Sequence, residues 1–173
     1  MESRDVLIDA YTRIQEVAHT SAEGLDTEGL AYRPEADANS IAWLVWHLTR
    51  GQDSQIAPIA GVEQAWSTGE WPEKLGLDPA LSNTGYGYTS EQVAAVRPAS
   101  ADALLGYLDF VSDRTREYLQ TVNASELDRI IDSSYDPPVS VGVRLVSIIS
   151  DNIQHAGQAR FVRGIYDRVS EAG

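Results

Sequence analysis

The sequence predicts an all-α protein: a four-helix bundle with long crossover connections and a long irregular loop after the second helix. Three observations carry this. Four segments repeat apolar residues at three- and four-residue spacing, the period of a helix with one buried face. The stretches between them collect Gly, Pro, Asn and Asp, which break helices and shape turns. Two of those stretches, 26–39 and 58–88, are far longer than a tight helix–helix connection, which favours crossovers over a simple up-down-up-down chain.

The first helix is expected over residues 5–24. Val6, Leu7, Ala10, Ile14, Val17, Ala18 and Ser21 fall on one side, and Gly24 ends it. Asp26 to Asn39 reads as a connection. Asn39 or Ser40 caps the second helix, about 40–57. Trp43 and Trp46 lie on different sides of it from Leu44 and Leu48, so this helix should be buried on several faces. The loop at 58–88 holds Pro58, Gly61, Gly69, Pro72, Gly76, Pro79, Gly85 and Gly87, with a short helix expected over Val62–Trp66. Its aromatics, Trp66, Trp71, Tyr86 and Tyr88, either pack over the bundle or line a pocket mouth. Packing is the favoured reading, because large aromatics usually serve as core. A short turn follows at 89–92, with Ser90 as its cap, and Pro98 interrupts it. Ser100 caps the third helix, about 101–121. A helical turn at Ser125–Leu127 and a short extended piece at 129–135 precede Pro137-Pro138. The last helix starts between Val139 and Val143 and runs to about Ser170. Strand content is expected to be marginal or absent.

With 173 residues, 43% of them apolar and 23% charged, the chain reads as one globular domain spanning 1–173 with a core that needs no staples. It has no cysteine, which excludes disulfides, zinc–thiolate sites and cysteine nucleophiles and fits a reducing compartment. Neither a signal peptide nor a membrane-length apolar run is present in the sequence, so the cytoplasm is the expected location. The formal net charge of -13 repels a phosphate backbone or an anionic membrane at long range, so neither nucleic acid nor membrane is expected as a partner.

The informative chemistry is in two apolar helices. Asp151 and His155 are four residues apart in the last one, and so stack on one face. His47 sits in the run Ile41-Ala42-Trp43-Leu44-Val45-Trp46-His47-Leu48. Two imidazoles and a carboxylate suit zinc, nickel or iron, and three protein ligands leave a position for water or substrate. The competing reading is a buried Asp151–His155 pair with no metal, in which the carboxylate finds a donor or cation. Arg50, one turn from His47, is a candidate catalytic residue, since its forked donors suit a substrate carboxylate or phosphate. His19 falls off the first helix's apolar stripe and reads as exposed. No Gly-x-Ser-x-Gly elbow, phosphate loop or His-Glu-x-x-His pattern is present.

The stretches Asn39-Ser40-Ile41-Ala42-Trp43-Leu44-Val45-Trp46-His47-Leu48-Thr49-Arg50 and Asp151-Asn152-Ile153-Gln154-His155-Ala156-Gly157-Gln158-Ala159-Arg160 resemble the second-helix and last-helix motifs of the DinB/YfiT-like superfamily. The resemblance covers nearly the whole chain. It implies a four-helix bundle with long crossovers, often dimeric, and a divalent metal held by three histidines. His47 and His155 match two of those places and Asp151 takes the third. The mycothiol-dependent maleylpyruvate isomerase branch similarly has a carboxylate there, a glutamate, one methylene longer. The resemblance implies His47, Asp151 and His155 as metal ligands, zinc or nickel as the metal, and mycothiol, bacillithiol or a related thiol as cosubstrate. It also implies a homodimer acting on a small molecule. The implied activity is S-transfer or isomerisation. A metal-dependent hydrolase and a non-enzymatic metal- or ligand-binding dimeric module are the alternatives.

Overall fold

Three of the four long helices start on a serine. Ser40, Ser100 and Ser140 accept hydrogen bonds from the amides of Trp43, Ala103 and Val143, three residues on, satisfying donors that a helix start leaves open. In the computed structural model, which describes residues 2–78, 80 and 83–172, the elements are α1 (Ser3–Ala22), α2 (Thr27–Ala31), α3 (Ile41–Ala60), α4 (Ala65–Thr68), α5 (Trp71–Lys74), α6 (Ser90–Ala94), α7 (Ala101–Thr121), α8 (Ala124–Asp128), β1 (Ile130–Asp132), β2 (Val139–Ser140) and α9 (Val141–Glu171). Pro79, expected in the long loop, lies outside the described residues.

The helices α1, α3, α7 and α9 form an all-α bundle. Both α1 and α3 pack on α7 and on α9, so α1 and α3 occupy opposite corners. Cross-helix contacts give the directions. Tyr11 donates to the Leu145 carbonyl and Arg163 to the Ser21 carbonyl, so α1 and α9 are parallel. Arg4 reaches the Gln120 carbonyl and His19 reaches Asp109, so α1 and α7 are antiparallel. The ring contact of His47 with His155 and the hydrogen bond from Asn152 to Gln52 make α3 and α9 antiparallel. The direction pattern is up-down-down-up: α1→α3 and α7→α9 each join antiparallel helices at one end of the bundle, while α3 and α7 are parallel, so their connection at 61–100 runs the length of the bundle.

Local differences from the sequence reading have local causes. The second helix was expected to stop before Pro58, but α3 runs to Ala60. Pro58 is exposed in the last turn, where solvent can serve the carbonyl its missing N–H leaves open, and Gly61 then ends the helix in the left-handed region. The 26–39 connection contains α2, capped by Asp26 through the Gly29 amide. The 89–94 turn is capped by Thr89, with Gln92 completing the box, not by Ser90, whose hydroxyl instead donates to the Ala36 carbonyl. The extended piece pairs as a two-stranded antiparallel ribbon, β1 with β2.

In α3 every residue from Ile41 to Asp53 is buried, which makes it the central helix its all-round apolar pattern predicts. The long loop is anchored from within the bundle. Asp53, 4% exposed, accepts from the amides of Ala65 and Trp66, each at 2.9 Å, and from the Tyr107 hydroxyl at 3.0 Å. Its carboxylate thereby holds the start of α4 against α3 and α7. Trp66 is buried beside Tyr107, Trp71 packs on the same ring, and Tyr88 stacks on Trp46, so three of the four loop aromatics cover the bundle. Tyr86 does not. It is 91% exposed.

Candidate metal centre

The helices α3 and α9 bring His47, Asp151 and His155 together. One candidate ligand atom from each lies within 4.8 Å of the other two. The two imidazoles meet edge to face with centroids 4.7 Å apart. Trp43, one turn before His47, stacks on its ring at 4.5 Å and also turns an edge to His155 at 6.1 Å. A flat indole therefore holds both rings in place from one side.

A hydrogen bond selects the tautomer of His47. His47 Nδ1 is 2.5 Å from the Thr84 carbonyl, which can only accept, so that nitrogen carries the proton and Nε2 keeps its lone pair. His155 Nδ1 is 2.9 Å from Gln158 Oε1, one turn further along α9, and Nε2 is the nitrogen on the Asp151 side. That Nε2 lies 3.5 Å from Asp151 Oδ1. An outer partner on Nδ1 and a free Nε2 is the usual arrangement of a metal-bound histidine. Burial holds the pKa of His47 below the ordinary imidazole range. The Thr84 carbonyl opposes that shift, His155 adds to it, and Asp151 opposes it again. His47 is thus neutral, as a ligand must be.

These residues fit a divalent cation. Ligand atoms at about 2.0–2.2 Å from one ion are separated by roughly 3–4 Å, so the observed spread closes with small side-chain adjustments. The centre is asymmetric. The His47 side chain is buried, that of His155 is 18% exposed, and that of Asp151 is 52% exposed. Asp151 also lines an open cleft of about 630 Å³ with Gly142, Val143, Val146, Ser147, Ser150 and Gln154. Across α9 a second cleft, about 720 Å³, runs between residues 34–39 and the helix and includes Gln158 and Phe161. The wall at 34–39 is held by Arg33, which donates to the carbonyls of Ala36, Ala38 and Ser90.

Arg50 has a different setting. It is 2% exposed, 4.0 Å from the Asp53 carboxylate, and lies over the Trp66 ring at 5.3 Å. Its contacts are with the group that anchors the long loop. His19 is part-exposed and pairs with Asp109 at 2.7 Å on the α1–α7 face. Arg163 bonds Asp167 and the carbonyls of Ser21 and Glu23. Two orienting groups escaped the sequence reading. Gln158 had a signal, its three-residue spacing from His155. Thr84 acts through its carbonyl, which no residue type announces.

Among the described residues, no helix is long and apolar enough to cross a membrane. The fold and site define a crossover four-helix bundle with a two-histidine, one-carboxylate cluster between its central and last helices. The sequence model of the DinB superfamily matches residues 10–159, and the chain belongs to that superfamily. Among solved structures, a conserved protein from Enterococcus faecalis is similar at 29% identity with a TM-score of 0.86, over 94% of this chain and 96% of that one. No curated protein matches.

Proposed function

We propose that the protein binds one divalent metal through His47, Asp151 and His155 and uses it to activate a low-molecular-weight thiol for S-transfer or isomerisation. One observation carries this reading. Two imidazoles, held at Nδ1 by Thr84 and Gln158, cluster with a carboxylate that borders an open cleft, one ligand atom of each residue within 4.8 Å of the others. A zinc or nickel ion bound there supplies a Lewis acid that lowers the pKa of a thiol or water. The chain's own part is to hold the His47 imidazole neutral, to keep water from the buried side with Trp43, and to leave the Asp151 side open. The mycothiol or bacillithiol class of cosubstrate follows from the family resemblance, and the clefts beside α9 have room for such a molecule. Arg50 serves a substrate only by exchanging its contact with Asp53 for a substrate carboxylate. Arg50→Leu that loses turnover of anionic substrates, but keeps that of neutral ones, is the expected sign of this role.

The homodimer of this reading draws support from α9. Val143, Val146, Ile153 and Phe161 are each more than half exposed on one face, with Ser147, Ser150 and Gly157 among them. A second copy docked on this face would wall the Asp151 cleft. Val146→Glu combined with Ile153→Glu should give a monomer in sedimentation.

The test of function is metal content and thiol transfer in untagged protein. About one zinc or nickel per chain, lost in His47→Ala and Asp151→Ala, with thiol-dependent turnover lost in parallel, is the expected result. Metal-dependent ester or amide hydrolysis without thiol would assign the hydrolase reading instead. Bound metal with neither activity would assign a binding module. No binding in metal-supplemented buffer would overturn the metal reading.

A further inference from the structure

One buried polar chain joins three of the four long helices. Asn152 on α9 donates from Nδ2 to Gln52 Oε1 on α3 at 2.9 Å, and Gln52 Nε2 donates to Thr115 Oγ1 on α7 at 2.8 Å. Thr115 in turn donates to the Val111 carbonyl at 2.9 Å. Asn152, Gln52 and Thr115 are 1%, 3% and 1% exposed. The last acceptor dictates the direction of the whole chain. A carbonyl can only accept, so Thr115 spends its one proton on Val111 and must accept from Gln52. The Gln52 amide oxygen then faces Asn152, which must present its NH₂ group. Asn152 Oδ1 is left buried with no hydrogen-bond partner among the described residues.

We infer that Asn152, Gln52 and Thr115 form a brace that sets the α3–α9 register at which His47 meets Asp151 and His155. The inference rests on the metal reading above. Its basis is position and directionality. Asn152 directly follows Asp151 and precedes His155 by three residues. Gln52 follows His47 by five. Along antiparallel helices the Asn152–Gln52 bond is thus about 5–8 Å from the ligand contact. Two separated cross-helix contacts define both slide and rotation, where one leaves a pivot. The other buried residues of α9, among them Leu145, Ile148, Ala156 and Ala159, are apolar, and their contacts are non-directional. A slip of α9 by one residue would move it about 1.5 Å and turn it about 100°, carrying Asp151 and His155 away from His47. A metal tolerates ligand misplacement of only about 0.2 Å. Apolar residues of similar size could fill these positions without leaving Asn152 Oδ1 unpaired. A buried polar chain in such a place specifies geometry at some cost to stability. None of the three residues is a proposed ligand, so they act by positioning.

The test compares zinc affinity with the stability of the metal-free fold in the full chain. Asn152→Leu removes the brace at the ligand-bearing helix. Thr115→Val removes one hydroxyl from a helix that supplies no ligand. The expected result is a zinc Kd raised roughly tenfold in Asn152→Leu and raised less in Thr115→Val. Thr115→Ser, which keeps the hydroxyl, should restore wild-type affinity. The metal-free melting temperature should be retained in Thr115→Val, and cobalt(II) bound to the variants should show a weaker visible absorption as a protein ligand gives way to water. Should Asn152→Leu not fold, the Thr115 pair decides. Wild-type zinc affinity and cobalt spectrum in folded Asn152→Leu or, failing that, in Thr115→Val would overturn the brace while leaving the metal reading intact. Failure of wild type itself to bind zinc would overturn both.

Discussion

Gly85→Ala should damage fold and metal centre together. Gly85 follows Thr84, whose carbonyl holds His47 Nδ1, and it has φ of +90°, a conformation L side chains rarely adopt. A Cβ there would fall 2.6 Å from the Trp46 ring and 3.1 Å from Trp43 Nε1. The conformation costs about 1–2 kcal/mol and the overpacking about 1–3 kcal/mol. If the backbone stays in place, the destabilisation is therefore about 2–5 kcal/mol, a drop in melting temperature of roughly 5–20 °C for a domain of this size. If the loop instead withdraws, stability suffers less, but the Thr84 carbonyl leaves His47. The imidazole then loses its orienting acceptor, and metal affinity should fall about 10- to 100-fold. Urea denaturation without metal, paired with zinc titration, reads both branches. Thr84→Ser is the control, because it keeps the carbonyl, and it should match wild type within about 0.5 kcal/mol. Gly85→Ala with wild-type stability and wild-type zinc affinity would refute the assignment of this loop as the outer support of His47.

Asp53→Ala should destabilise by about 3–5 kcal/mol in urea, because it removes one buried acceptor from two backbone amides and a tyrosine hydroxyl, and limited proteolysis should then cut within 61–78. Asp151→Glu should bind zinc as tightly as wild type or more tightly, since one added methylene helps close a ligand set spread over 4.8 Å; a tenfold loss in titration would count against the open geometry described here. In chelator-treated protein, His47 gives stability a definite pH dependence. Its folded pKa lies below the unfolded value of about 6.5, so the unfolded chain binds the extra proton first. Stability should be flat above pH 6.5 and fall as pH drops from there toward the folded pKa. His47→Gln should be flatter over that window, and equal slopes would contradict the burial that lowers the pKa. Glu126, held at a pKa of about 2 by Arg129 and Tyr118, should retain its charge well below pH 4.5, as a carboxylate titration by NMR would show.

The four long helices were legible from their helical apolar period, and two of them also from a start signal. Ser40 and Ser100 before runs of apolar residues mark both ends of the argument, and the structure uses both hydroxyls as caps. The long connections were legible as length, since 26–39 and 58–88 are too long to join neighbours tightly. The short elements were less so. A five-residue helix such as α2 carries no period of its own, and it exists because Asp26 caps it and Leu30 is buried beneath it. The choice between Thr89 and Ser90 as cap was invisible because both have the right hydroxyl. It was settled by Ser90 being drawn to the Ala36 carbonyl, 54 residues away in sequence.

The site divides along the same line. His47, Asp151 and His155 stood out as polar groups in apolar helices, and local spacing placed two of them together. That α3 meets α9 at those residues is a tertiary fact. Arg50 shows the limit of helical spacing. One turn from His47, it shares a helix with the candidate ligand, yet the residue three further on, Asp53, draws it to the base of the long loop. Asn152 shows the converse. Three residues before His155, it is one of the most enclosed residues of α9, in line with Leu145, Ile148, Ala156 and Ala159. An asparagine within that apolar row is intelligible only once Gln52 is seen opposite it. The ligands can be recognised by what they are, but the groups that make them a site act through carbonyls and cross-helix amides, and those depend on the fold for their meaning.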